Sequence, residues 1–309
     1  MSKNKHSLIT KLAFLSVSLM ITSAYAIQGS LPQLKAALHL SQTQSEYLVT
    51  TPSFAMMIFV VLSPLIQNWL HISDKKIIMT GVTIVGIAGV IPMFVHSYPL
   101  ILASRLILGA GCGLYNSQAI SVISVWYDGH ERAQMLGWRA AAEQIGQAVT
   151  LSIAGLLLTY LGWQSSFSVY LLAFLVLLFF ASQVPEESKS QDEDVEEDSL
   201  AEDVGGQDNG KITKISPTVG LLVIFAFLLV VDYVGMENRF AGLAVAIKGA
   251  HYTGSSMFLS LMLIGATLGG LFYGSIQKHL GFGTVYLGLG LMALSNFLYG
   301  FAGHKSAFS

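Results

Sequence analysis

The 309-residue chain is 53% hydrophobic and only 11% charged, where soluble domains carry about 25% charged residues. Its net charge of -2 gives no nucleic-acid or polybasic signal, and one cysteine, Cys112, excludes an intrachain disulfide. Mean hydropathy is +0.62, which points to a membrane protein.

At the N-terminus, Lys3, Lys5 and Lys11 precede an apolar run, and Ala24-Tyr25-Ala26 has the form of a signal-peptidase site. Further apolar spans follow, so this segment reads as a first transmembrane helix. A spanning helix needs about 20 mostly apolar residues. Nine windows qualify, at roughly 10–30, 45–69, 76–95, 98–125, 136–160, 164–183, 217–238, 254–277 and 284–302. With a cytoplasmic N-terminus, ten loop Lys and Arg residues fall inside and four fall outside (Lys35, Arg239, Lys248 and Lys305). That split obeys the positive-inside rule.

Between the sixth and seventh spans lies a polar segment containing QDEDVEEDSLAEDVGGQDNG. Eleven of the 18 acidic residues fall between Glu186 and Asp208. With few large apolar residues it cannot bury enough surface to fold, so a disordered linker is expected. It lacks the glycine and terminal glutamate of a calcium loop. The chain therefore divides into an N-terminal six-helix bundle (1–183), an acidic cytoplasmic linker (184–216) and a three-helix C-terminal part (217–309). The third part repeats the first: Tyr25 and Tyr233 each end an apolar run, 208 residues apart.

The fourth span, ILASRLILGAGCGLYNSQA, and the loop WYDGHERAQMLGW after it carry a family likeness. Arg105 followed by Gly109, Gly111 and Gly113, then Glu131-Arg132-Ala133, then Leu161-Gly162-Trp163 and Phe167, resemble the major facilitator superfamily. The resemblance implies an all-α membrane protein of two helical bundles, with a complete six-helix N-terminal half and three helices of the C-terminal half. It also implies that helices one and seven line a central path. Departures are present: Ser63, Gln67 and Asn68 stand where the loop after helix two has Gly, Asp and Arg. Asp74, Lys75 and Lys76 partly substitute for them. Gly137 and Gly146 match part of the fifth-helix motif of drug antiporters, but Leu151 replaces its proline.

No catalytic constellation appears. All eight histidines lie at span ends or in loops, so no enzyme, metal site or cofactor is expected. The informative residues are ionisable groups inside spans, which face a partner or a water-filled path. Arg105 reads either as an anion-binding or proton-tuning group, or as a structural donor to carbonyls of a neighbouring helix. Arg139, Glu143 and Gln147 form an i, i+4, i+8 stripe that permits an internal ion pair, with Glu143 near the depth of Asn116. Asp232 lies deep in span seven and is a candidate proton carrier; Glu237 and Arg239 read as rim residues. Tyr25, Gln28 and Asn116 are uncharged candidates for the path.

The expected function is secondary active transport of a small solute by alternating access, coupled to protons, with drug efflux or organic-anion transport as the substrate options. Substrate, protons and the lipid bilayer of the cell membrane are the expected partners. The competing reading is a truncated, non-transporting remnant or membrane interaction protein. In that case a second chain could supply the three helices missing from a six-plus-six repeat.

Overall fold

The computed structural model describes residues 7–184, 217–249, 252–280 and 283–306, and these are helical with no strand among them. The first transmembrane segment is broken: α1 (Leu8–Ser18), two 3₁₀ turns (Ile21–Tyr25 and Gln28–Ser30), then α2 (Leu31–Ala37), which has proline in its first turn. Long helices follow: α3 (Gln42–Leu70), α4 (Asp74–Val90), α5 (Tyr98–Trp126) and α6 (Gly129–Leu161). A 3₁₀ stretch, Trp163–Leu171, leads into α7 (Leu172–Gln183). Beyond the acidic segment come α8 (Pro217–Lys248), α9 (Ser255–Leu280) and α10 (Gly283–Ser306). The proposed linker lies outside the described residues, Val184 apart.

Six helices among the described residues are long and apolar enough to cross a bilayer: Leu8–Ala37, Gln42–Leu70, Asp74–Met93, Tyr98–Trp126, Gln134–Leu161 and Trp163–Gln183. The later helices hold shorter apolar stretches, Ser255–Gly265 and Tyr286–Leu298. The chain is a multi-pass membrane protein. Its outward faces carry bare apolar groups such as Phe54, Trp69 and Phe94, as lipid contact requires, while backbone polar groups are satisfied inside helices.

Local signals set several boundaries. At the start of α3, Ser41 Oγ accepts from Gln44 N at 3.2 Å and Ser41 N donates to Gln44 Oε1 at 2.9 Å, a reciprocal cap. His71 ends α3 in the left-handed conformation, φ 51°. Lys75 donates to the final carbonyls of α7, to Ala181 O at 2.9 Å and Val184 O at 2.6 Å. A cation suits that position because helix C-termini carry partial negative charge.

Close helix contact rests on small residues, since nothing but packing and polar contacts draws helices together in lipid. A Cβ on Gly109 would sit 2.2 Å from Pro52 O, and one on Gly113 would sit 2.6 Å from Met56 O, so α5 packs backbone to backbone on α3. Gly81 and Gly111 make the same approach between α4 and α5. The main core lies among the helices of residues 8–184, with Phe14, Leu48, Ile78, Tyr115, Phe167 and Tyr170 among its buried members. A smaller cluster, Ala148, Leu151, Leu259 and Leu263, joins α6 to α9.

Candidate functional site

Two layers of buried polar groups occupy the interior, and they differ in what they face. The first surrounds Arg105, which is 1% exposed. Pro52 has no N–H, so the carbonyl four residues earlier, Leu48 O, loses its helical donor. Arg105 Nε supplies one at 3.1 Å. The break after α1 brings further carbonyls within reach of side chains. Arg105 Nη2 donates to Ala24 O, and Tyr170 Oη donates to Ser23 O at 2.9 Å while accepting from Arg105 Nη1 at 2.7 Å. Arg105 therefore holds the kinks of α3 and the first segment together. That geometry is the structural alternative of the two readings its sequence position allows.

The second layer lies along α6 and reaches across to α8. Arg139 Nη2 pairs with Glu143 Oε1 at 2.7 Å and also donates to Asn116 Oδ1 on α5. The i, i+4 stripe thus forms an internal ion pair, and Asn116 joins it at the same depth. Thr22, in the first 3₁₀ turn, donates to the Glu143 carbonyl at 2.8 Å. One turn further along α6, Gln147 Nε2 donates to Glu237 Oε1 on α8 at 2.8 Å. The neighbouring Asn238 Oδ1 accepts from Gln28 Nε2 at 2.7 Å. Gln28 Oε1 and Arg139 Nε are buried and have no hydrogen-bond partner among the described residues. Such orphaned atoms are available to a bound solute or water.

The remaining candidates are spread more widely. Tyr25 Oη shares a 2.9 Å hydrogen bond with Ser53 Oγ on α3. Asp232 accepts from Asn296 Nδ2 on α10 at 2.6 Å, so its contact stays between α8 and α10 and does not reach the second layer. Glu237 reads as a rim residue in the sequence but is only 5% exposed. Its i, i+4 spacing from Tyr233 put both on one helical face, but nothing in the sequence said that Gln147 would meet it. Arg239 does lie at the rim: its side chain is 70% exposed and sits 3.9 Å from Glu46.

On another face of α6, Gln144, Ile145, Ala148, Val149, Ile264 and Leu268 help line an apolar cleft of about 320 Å³ between α6 and α9, which none of the layer's hydrogen-bonding side chains lines. That volume is at the lower end of small-molecule sites. The layer offers one cation with an unpartnered N–H and amide groups from both parts of the chain. Among the described residues it holds no nucleophile–base pair.

A family profile described as Major Facilitator Superfamily matches residues 13–308. A gentisate transporter of Corynebacterium glutamicum is 35% identical over 97 residues, a stretch covering 30% of this chain and 22% of that relative. This chain thus matches well under two thirds of that relative's length.

Proposed function

The chain belongs to the major facilitator superfamily, and from that premise we propose that it is a secondary active transporter carrying a small organic anion by alternating access, coupled to protons. The single observation that carries the reading is the polar layer. Gln28 and Gln147 come from one part of the chain, Asn238 and Glu237 from the other, and they meet through hydrogen bonds of 2.7 and 2.8 Å, with Arg139 and Asn116 bonded to each other in the same layer. Side-chain hydrogen bonds between membrane helices average about 0.6 kcal/mol. Bonds that weak can break and re-form as two bundles rock about a central site.

Arg139 supports an anionic solute, because its unpartnered Nε is a charged donor inside the layer. The relative's named substrate, gentisate, is an aromatic carboxylate. The buried carboxylates supply groups for a coupling proton. We place the chain in the cell membrane with its N-terminus in the cytoplasm. Lys11, Lys75, Lys76 and Arg132 at that end outnumber Lys35, Arg239 and Lys248 at the other.

The test is uptake of labelled gentisate and related aromatic carboxylates by proteoliposomes, with and without a pH gradient. Gradient-driven accumulation is expected, and Arg139→Gln should reduce it by roughly tenfold, the effect of losing about 1.4 kcal/mol of binding. Movement of neutral or cationic compounds but of no carboxylate would remove the anion reading.

A further inference from the structure

We propose that Glu237 is the proton-binding group of this transporter, and that its protonation is what lets the seam between residues 8–184 and helices α8 and α9 close at the end of the bundle opposite the N-terminus. The assignment rests on the transport reading above and deepens it.

The seam is closed in this structure. Besides the two bonds of the polar layer, Gln33 Nε2 donates to Tyr252 O at 2.7 Å and Thr159 Oγ1 donates to Thr253 Oγ1 at 3.0 Å. Ser260 Oγ donates to Ala148 O at 3.1 Å. Ser256 lies in a notch that only glycines can form: a Cβ on Gly29 would fall 1.8 Å from its Oγ, and one on Gly155 would fall 2.4 Å from its Cβ. Glu237 sits inside this closure at 5% exposure, and its partner Gln147 is on the opposite wall.

Closing the seam removes this carboxylate from water, and among the described residues no cation meets it. On α8, Tyr233 is one turn away, Arg239 turns outward to Glu46, and Asp232 bonds Asn296. On α6, Arg139 and Glu143 pair with each other. On α2, Lys35 donates to Gln42. The Gln28–Ser30 turn offers no titratable side chain. On α9 the one described titratable side chain is His279, exposed near its far end, and on α10 Tyr286 is 75% exposed. An ionised carboxylate enclosed without a cation opposes closure, whereas the protonated acid is neutral and keeps its bond to Gln147. Glu143 differs because protonating it would break an ion pair. Asp232 differs because its bond does not cross the seam.

The experiment reads the seam directly. Spin labels are placed at Phe94→Cys and Ile247→Cys, both exposed, in liposomes held at a series of pH values; fully buried Cys112 escapes labelling. The closed, short-distance population should dominate at low pH. It should give way to the open one as pH rises, with the ratio changing up to about tenfold per pH unit for one proton. Glu237→Gln should stay closed throughout, and Asp232→Asn should follow the wild-type response. A Glu237→Gln protein that opens with pH as the wild type does overturns the assignment. Should that variant not fold, Gln147→Leu replaces it: a moved midpoint supports the assignment and an unmoved one overturns it. Uptake in the same liposomes separates the two readings. An intact pH response without transport of any solute removes the transport reading alone. Gradient-driven uptake that survives Glu237→Gln removes the proton site alone.

Discussion

Replacing Arg105 with methionine separates a structural arginine from an anion-binding one. The substitution keeps an unbranched apolar stem and deletes the guanidinium donors. Leu48 O and Ala24 O then lose their Arg105 donor in a buried setting. An unsatisfied buried carbonyl costs about 1–3 kcal/mol, so the two together cost about 2–6 kcal/mol. Removing a guanidinium that is enclosed without a carboxylate partner recovers part of this, since a buried charge carries its own desolvation penalty. A net loss of about 2–4 kcal/mol is expected. At roughly 2–4 °C per kcal/mol for a chain of this order of size, the unfolding midpoint in detergent should fall by roughly 5–15 °C. Tyr170→Phe removes one donor, to Ser23 O, and one acceptor, so it should lower the midpoint by a smaller step in the same direction. Substrate KM is measured alongside. If Arg105→Met left the midpoint unchanged while raising KM tenfold or more, the bracing role would be refuted and the anion-binding role restored.

Two further outcomes follow from packing and from titration outside the membrane. Gly109→Val should destabilise by about 1–3 kcal/mol or more, because its Cβ meets Pro52 backbone atoms at 2.2–2.7 Å and backbone cannot rotate aside. Gly137→Ala, with nothing within 4 Å, should instead be neutral or gain up to about 1 kcal/mol, and thermal unfolding compares the pair. Tyr127, just past the end of α5, is fully buried, and burial first and the nearby Glu131 second push its hydroxyl from 10.0 up to about 12. The folded chain therefore holds this proton where the unfolded chain has released it. Stability from this group is complete below pH 10 and is lost as pH rises towards 12. Tyr127→Phe should flatten alkaline unfolding in that window; an unchanged alkaline limb would contradict the burial argument.

Much of the architecture was legible in the sequence because its signals are local. Twenty-residue apolar windows located the first six spans, and the fourth helix showed its small-residue faces. The i, i+4 spacing of Arg139 and Glu143 was enough to anticipate their ion pair, since one helix sets that distance by itself. The break between α1 and α2 was not legible, because an apolar run says nothing about where backbone bonds leave the helical pattern. Arg105 allowed two readings for a related reason. Its role depends on the carbonyl freed by Pro52 in another helix, and residues 52 and 105 meet only through packing.

The sequence by itself determined that this chain lies in a membrane, is built of helices and carries few charged groups within them. Those properties follow from composition and periodicity, which act residue by residue. Only the tertiary structure decided which buried groups meet. It turned Asp232 towards Asn296, away from the polar layer, and it brought Glu237 from an apparent rim position to Gln147 inside the seam. A helix's rotation about its own axis is set by the helices packed against it, and a single stretch of sequence does not encode its neighbours.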